Sequence, residues 1–487
     1  MRADALVAEI GSTVTKVHAF SGLDGSRPQW VGGGAAPTTA AQGDVTTGLR
    51  AAVGDLSRRL GEDVTWERML AASSAAGGLR MAVHGLVYDM TVRAAREAAL
   101  GAGAIIELVT VGKLGAEETD VLRRLRPGII LLAGGLEGGD REVVVHNARE
   151  IAGLRLGVPV VYAGNSAARA EVSGILGAAG VKVTVVPNVY PRLDLLDIEP
   201  ARRAIQAVFE EHIILAPGME RVRDMVGGAI RPTPGAVMEA ARLLRELLGD
   251  LVVIDVGGAT TDVHSVTDGS TEIKRIQLHP EPVAKRTVEG DLGVYVNAAN
   301  VVRLAGEEAV AEHMSAGPPD VGDLLARAVP VPPEDTDPEV SAFIAALTRL
   351  AAETALVRHA GVLRHLFGPT GRLTVAEGKD LTEVEWLVGT GGPLVRFPWG
   401  SRVLAALAGM PTAAALAARR RGGGSDTPGF EPGGPPASLL LPGRGARPVI
   451  DRRYLMAVLG VLHQEYPEAA RALLRESVVP EAGGGEG

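Results

Sequence analysis

Cysteine is absent from all 487 residues. That removes disulfides, thiolate zinc sites, iron–sulfur clusters and cysteine nucleophiles together. Aromatic residues are scarce, at 3%, so apolar cores must be built from Val, Leu, Ile and Ala. Basic stretches of the kind that bind nucleic acid are also lacking. The net charge is −9 and lysine occurs only six times. The one compact arginine run, Arg419 to Arg421, sits against a Gly/Pro-rich stretch and reads as a solvated helix end. No unbroken run of about 18 or more apolar residues occurs, so no membrane span is expected. Met1 to Ile10 lacks the long apolar stretch of a secretory leader, and the expected compartment is the cytoplasm.

Hydrophobic residues make up 46% and charged residues 22%, the balance of a globular chain. Its length calls for two to four domains. The 63 glycines and 30 prolines imply many tight turns. Ala5 to Ile10 and Lys16 to Phe20 read as two strands joined at Gly11-Ser12-Thr13. Val45 to Leu60 has helical spacing after the start signal Gly43-Asp44. Arg68 to Ala72 reads as a strand entering the small-residue loop Ser73 to Gly78. Four apolar runs follow, Ile105–Val111, Ile129–Leu132, Val158–Tyr162 and Val183–Val186, with helix-like sequence between them, which predicts a parallel sheet. Several end in small residues, as in Ala133-Gly134-Gly135 and Ala163-Gly164-Asn165. These glycines are read equally well as tight turns or as a binding edge.

Val237 to Leu248 reads as an amphipathic helix feeding a strand, Leu251–Val256. A Gly turn and a second strand, Asp262–Val266, come next. Thr271 to Leu278 is expected as a strand, Asp291 to Leu304 as helix and Pro318 to Pro338 as a loop. Val340 to Phe367 is expected as one or two helices, Val384 to Val388 as a strand. Arg421 to Pro448 reads as a Gly/Pro linker, Ala457 to Leu473 as helix, and the tail from Pro480 as disordered.

Two segments match one another: Val7 to Val17 (VAEIGSTVTKV) and Val253 to Val263 (VIDVGGATTDV). In each, an acid ends a buried strand, Glu9 or Asp255, and a turn of Gly and hydroxyl residues leads into a second strand. A buried carboxylate is costly unless paired or near a metal. Turns of this kind expose backbone N–H groups in a small concave nest that holds phosphate. Two such turns facing each other would clamp a polyphosphate, with Mg2+ held through water between the two acids. One copy falls in each half of the chain, as an internal duplication would give. A third element, Leu387-Val388-Gly389-Thr390-Gly391-Gly392-Pro393, is a strand and Gly turn that lets backbone approach a flat nucleoside closely.

These hairpins resemble the two phosphate motifs of the actin, sugar-kinase and heat-shock-ATPase superfamily, and Gly389 to Gly392 resembles its adenosine motif. Within it the chain resembles the MutL family, accessory proteins of adenosylcobalamin-dependent glutamate mutase and related mutases. The likeness extends through Ala72 to Leu79, Leu131 to Gly135, Thr287 to Gly293 and Val388 to Gly392. It implies an α/β, two-lobed actin-like ATPase fold with duplicated ribonuclease-H-like lobes, an additional α/β unit and a helical C-terminal segment. The expected boundaries are 1–100 for the first lobe, 101–190 for the attached α/β unit and 191–234 for a connector. The second lobe would occupy 235–415, the linker 416–448, the helical segment 449–479 and the tail 480–487.

The resemblance assigns Gly11, Ser12, Thr13, Thr15 and Lys16 to the first phosphate motif, and Asp255, Gly257, Gly258, Ala259, Thr260 and Thr261 to the second. Gly389, Thr390, Gly391 and Gly392 would line the adenosine. Glu9 and Asp255 would be the catalytic acids and hold Mg2+ through water, Asp255 positioning the metal or the attacking water. Superfamily members usually carry Asp where this chain has Glu9; Glu keeps the charge and reaches a methylene further, which bears on metal geometry and on the rate of hydrolysis.

The implied function is an ATP- and ADP-binding, slowly ATP-hydrolysing partner of an adenosylcobalamin-dependent mutase, which it reactivates by exchanging damaged cofactor for intact. A small-molecule kinase needs a general base beside a substrate hydroxyl, and no Asp identifies itself in that role. An ATP-dependent amide-ring hydrolase is the other enzyme the fold accommodates. The Gly-rich strand ends between Ala133 and Asn165 are the expected partner surface. Asp262-Val263-His264 begins like a cobalamin-binding D-x-H-x-x-G pattern, but position 267 is Thr and the segment reads as structural. His84 and His146 read as structural or surface residues. Glu289 and Asp291 read either as an acidic pair near the nucleotide or, at Asp291, as a helix cap.

Overall fold

In the computed structural model of the protein, every residue is described except 12–13, 40–42, 75–79, 103, 194, 214–217, 227–229, 315–319, 330–332, 369–370, 411–437 and 479–487. Ser12, Thr13, Arg419 to Arg421, most of the expected linker and the expected tail therefore lie outside the described residues. The chain divides into two units, Met1–Glu239 with Ala457–Ala470, and Ala240–Met456 with the residues from Arg471 onward.

The first unit opens with the expected hairpin, β1 (Arg2–Ile10) and β2 (Val14–Ser21), followed by β3 (Gln29–Pro37). β1 is buried along most of its length, as befits a central strand covered on both faces. The helix Val45–Leu60 starts where Asp44 accepts from Thr46 N and stops at Gly61, whose φ is 74°, the left-handed conformation that ends many helices. β4 (Thr65–Ser73) and β10 (Arg231–Pro232) complete a sheet of order β10-β4-β1-β2-β3. β1–β2 and β2–β3 pair antiparallel, whereas β1–β4 and β4–β10 are parallel.

Between β4 and β10 runs a second sheet of the same unit. It contains β5 (Arg80–Gly85), β6 (Ile105–Val111), β7 (Ile129–Leu132), β8 (Val160–Tyr162) and β9 (Val183–Val185), in the order β6-β5-β7-β8-β9. All its pairings are parallel. The four apolar runs are strands as expected, and β5 is a central strand that the pattern missed. Ile129 and Leu131 enter one core while Ile130 and Leu132 enter another, so both faces are covered and the strands read as continuous apolar runs.

The second unit repeats the first sheet. β11 (Leu251–Val256), β12 (Thr261–Val266), β13 (Ala284–Glu289), β16 (Trp386–Thr390) and β18 (Arg447–Ile450) stand in the order β13-β12-β11-β16-β18. β11–β12 and β12–β13 are antiparallel; β11–β16 and β16–β18 are parallel. Numbered within its own sheet, each unit has strand order 3-2-1-4-5 with the same directions, so the duplicated α/β fold class is present. The 22-residue helix Pro338–His359 is apolar and long enough to cross a membrane, but most of it is buried in this unit. Phe343, Leu347 and Leu350 pack in one core with Val252, Ile254 and Val256 of β11.

Several local expectations change. Thr271–Arg275 is a helix, not a strand, because Ser270 caps it by accepting from Ile273 N. The Pro-rich stretch holds a helix at Val321–Arg327, capped by Asp320. The helix expected through Phe367 ends at His359. A hairpin follows, β14 (Val362–Gly368) with β15 (Gly371–Glu377), and β17 (Ser438–Leu439) pairs with β14. Helix begins at Ala298, after Asn297, so Asp291 does not cap it. β17 and β18 are strands in a stretch whose composition reads as linker.

Candidate functional site: a duplicated phosphate hairpin

In the first unit Glu9 stands directly across from Lys16. Both are 8% exposed, and Lys16 Nζ donates to Glu9 Oε2 at 3.2 Å. Gly11 N donates to Val14 O at 3.1 Å. Thr15 is fully buried; its hydroxyl lies 2.8 Å from Thr38 Oγ1, which donates to Gly11 O at 2.8 Å. Glu9, Gly11, Thr15 and Lys16 are thus gathered at one hairpin end, with the Thr15 hydroxyl occupied internally.

In the second unit Asp255 stands across from Asp262 on one side and level with Thr390 on the other. Residues alternate along a strand, so Asp255 and Asp262 share the face opposite Ile254 and Val263, which pack toward the long helix. Asp262 is 7% exposed and accepts from Arg286 Nη2 at 3.2 Å. The half-buried turn Gly257–Thr260 is held from behind. Gly257 N donates to Thr260 O, Val294 N to Gly257 O, and Tyr295 N and Val296 N to Gly258 O. Asn297 Nδ2 donates to Ala259 O at 2.6 Å, and Thr261 Oγ1 to Leu292 O at 2.6 Å. The carbonyls of the turn are therefore used, while among the described residues no acceptor faces the amides of Gly258, Ala259 and Thr260. A row of free amides is what an anion needs.

The segment expected to line adenosine joins this turn through Gly391. Its φ is +91°, and a Cβ there would sit inside Val256 O and 2.7 Å from Asp255 Oδ1, so only glycine fits. A Cβ on Gly392 would meet open space. Gly389 instead faces the interior, where a Cβ would lie 2.7 Å from Ile450, and Thr390 Oγ1 donates to Asp451 Oδ2 at 3.2 Å. Among the described residues no three metal-ligating side chains converge. One or two carboxylates with waters suit Mg2+, which binds through few protein ligands and substrate phosphates.

His264 lies two residues beyond Asp262 and His18 two beyond Lys16, at matching register positions opposite Val253 and Val7. Burial and then the Lys16 charge pull His18 down to about 3; burial and then Arg286 pull His264 well below its usual value. A twin in the other hairpin marks His264 as part of the duplicated scaffold.

A family model described as MutL protein matches residues 5–478. The chain is 35% identical over 486 residues to Protein MutL of Clostridium tetanomorphum, covering 97% of this chain and 99% of the relative. The chain belongs to the MutL family. Similar solved structures include diol dehydratase-reactivating factor in nucleotide-free form, at 12% identity, covering 95% of this chain and 100% of that one, with a TM-score of 0.31. Component A of (R)-2-hydroxyglutaryl-CoA dehydratase from Acidaminococcus fermentans matches at 10% identity, 96% and 98% coverage and a TM-score of 0.26. Xylulose kinase from Lactobacillus acidophilus matches at 9% identity, 98% and 92% coverage and a TM-score of 0.32. Scores this low leave the fold to rest on strand order and direction.

Three residues of this MutL-family chain escaped the motif reading. Arg286 pairs with Asp262. Asp451 is fully buried and accepts from Leu455 N, Met456 N, Ser477 Oγ and Thr390 Oγ1; burial pushes its carboxyl up despite these bonds. Arg358, at the end of the long helix, reaches both Glu289 and Asp291. Arg286 and Arg358 are lone charges far in sequence from their partners, and Asp451, which meets the nearby Leu455 and Met456 amides, also draws on the distant Thr390 and Ser477. His84 is buried, hydrogen-bonds Thr110, and is lowered to about 4 by burial. His146 bonds to Leu114 O at 3.0 Å. The Gly-rich loops between Ala133 and Asn165 are tied together: Glu137 meets Ser166 and Asn188, and Asn165 Nδ2 donates to Gly139 O and Asp140 O.

Proposed function

We propose that this protein binds ATP and ADP with Mg2+, hydrolyses ATP slowly, and uses that cycle to reactivate or chaperone an adenosylcobalamin-dependent mutase such as glutamate mutase or an aminomutase. The observation that carries the nucleotide reading is the turn Gly257–Thr260, with its carbonyls occupied and, among the described residues, no acceptor for the amides of Gly258, Ala259 and Thr260, beside Asp255 and the tight Gly391. The partner class is supported by membership of the MutL family. The proposed compartment is the cytoplasm.

In this reading the amides of the second turn, with the Thr260 hydroxyl, hold phosphate oxygens. Asp255 orients a water, and Gly391 and Gly392 leave room for the nucleoside. Glu9 and Lys16 serve the first phosphate motif with Gly11, Ser12 and Thr13. Bound Mg2+ would neutralise charge on the phosphates, with Asp255 holding it through water. A ligand shifts a conformational equilibrium only by its differential affinity for the two states. The mutase would therefore respond to the nucleotide only if the ATP and ADP forms bind it unequally.

The test is ATP binding and hydrolysis by the pure protein, with Asp255→Asn as the control, followed by addition of inactivated mutase. Slow turnover that depends on Asp255 and rises with the mutase supports the proposal. Hydrolysis only in the presence of a small hydroxylated substrate would favour a kinase, and no binding at millimolar ATP or ADP would end every nucleotide reading.

A further inference from the structure

The loop Glu289–Asn297 is the only described segment outside the hairpin whose groups engage the carbonyls of Gly257, Gly258 and Ala259. It is also tight: a Cβ on Gly293 would run into the Ala259 backbone. Where this loop sits therefore determines where the amides of the second turn point. At its start, Glu289 ends β13 opposite Thr261, and Asp291 lies two residues on. Arg358 gathers both. Its Nη1 donates to Glu289 Oε2 and to Asp291 Oδ1, the latter at 2.9 Å, and its Nη2 donates to Asp291 Oδ2 at 3.1 Å. The next residue, His359, spans the same two strands, with Nε2 2.8 Å from Ser265 Oγ and Nδ1 2.9 Å from Thr287 Oγ1.

The two carboxylates are differently disposed. Burial pushes Glu289 above its usual range even against Arg358. At Asp291 burial acts the same way, but the hydrogen bond and charge of Arg358 outweigh it and hold the carboxyl below its usual range. The Glu289 side chain is 13% exposed, Arg358 17% and Asp291 40%. Without the guanidinium, two acids would flank a turn whose amides await an anion.

We propose that Arg358 is a positioning residue for the nucleotide, anchoring the Glu289–Asn297 loop behind the second phosphate turn and cancelling the acidic charge beside it. This rests on the nucleotide reading above. A planar fork does both tasks, whereas a lysine supplies charge without bidentate geometry.

The experiment is calorimetric titration of the full chain with Mg·ADP, for the natural protein, Arg358→Lys, Arg358→Met and Asp291→Asn, with urea unfolding of each in the absence of nucleotide. Charge-assisted hydrogen bonds of this class predict about tenfold weaker binding or more for Arg358→Met. Arg358→Lys should recover part of it, and Asp291→Asn, at a half-exposed loop position, should weaken binding by about threefold while unfolding at the natural midpoint. Should Arg358→Met fail to fold, Arg358→Lys and Asp291→Asn decide. Folded variants that bind Mg·ADP as tightly as the natural protein overturn the proposal and leave the nucleotide reading standing. Absence of binding by the natural protein overturns both.

Discussion

The two hairpins share strand order, turn position and a buried histidine, yet they differ where charge is balanced. Glu9 meets an ammonium directly across the strand pair, at Lys16. Asp255 meets a second carboxylate, Asp262, and the nearby cation has moved to the third strand, where Arg286 stands opposite His264. The first unit has Gly33 at that third-strand position, close under the His18 ring. Duplication here keeps the backbone device and the apolar packing but relocates the counter-charge. The first hairpin carries a cation directly across the strand pair from its acid, whereas in the second the cation for Asp262 comes from the neighbouring strand, at Arg286.

The largest expected effect comes from breaking the neutral pair. Lys16→Met leaves Glu9 buried without its cation and should destabilise the protein by about 3–5 kcal/mol. Adding Glu9→Gln should recover most of that loss in urea unfolding, and a double variant no more stable than the single one would mean that the pair does not account for it. Next is acid. His18 titrates at about 3 in the folded chain and near 6.5 when unfolded. Below pH 6.5 the unfolded chain takes a proton that the folded one refuses, so stability falls with pH across that window, by about 3 kcal/mol between 6.5 and 4 for this group. His18→Gln, which can still accept from Trp30, should flatten the decline in melting temperature; an unchanged slope would assign it to other groups.

A third comparison sets Asp255→Asn against Glu9→Gln in steady-state ATP hydrolysis. Loss of a charge acting on the reacting groups costs about 100-fold or more, and this is expected at Asp255, with a smaller loss at Glu9. Equal losses would erase the functional difference between the copies. The smallest effect is at Thr390. Its hydroxyl is engaged with Asp451, so Thr390→Val should lower stability by about 1 kcal/mol with little change in ADP affinity. A large affinity change would put that hydroxyl on the ligand instead.

Local pattern carried the hairpins, the long helices and the parallel strands, because alternation, continuous apolar runs and Gly turns are properties of adjacent residues. It failed where tertiary partners decide. Val362, Leu363, Leu366 and Phe367 are spaced as on a helix, yet Val362–Gly368 is a strand because Gly371–Glu377 returns beside it. Thr271 to Leu278 looks extended, but Ser270 can cap Ile273 N and does. β5 was missed beside a small-residue loop, although it lies inside the sheet between β6 and β7 and is buried at every residue but its first. At the site, Glu9, Asp255 and the glycines were legible as motifs. Arg286 and Arg358 were not, since each gains its role only from a partner on another element, and Asp451 was not, since its links to Thr390 and Ser477 span distant parts of the chain.

The fourth and fifth strands of each five-stranded mixed sheet are parallel neighbours, so no tight turn can join them. Both units place long stretches of chain in that same connection: the whole β5–β9 sheet between β4 and β10, and two short helices with residues 411–437 between β16 and β18. An obligatory detour is a place where a lineage can lengthen a chain without rewriting hydrogen-bond registry. It is also where a protein engineer could graft or exchange a recognition module while leaving both hairpins untouched.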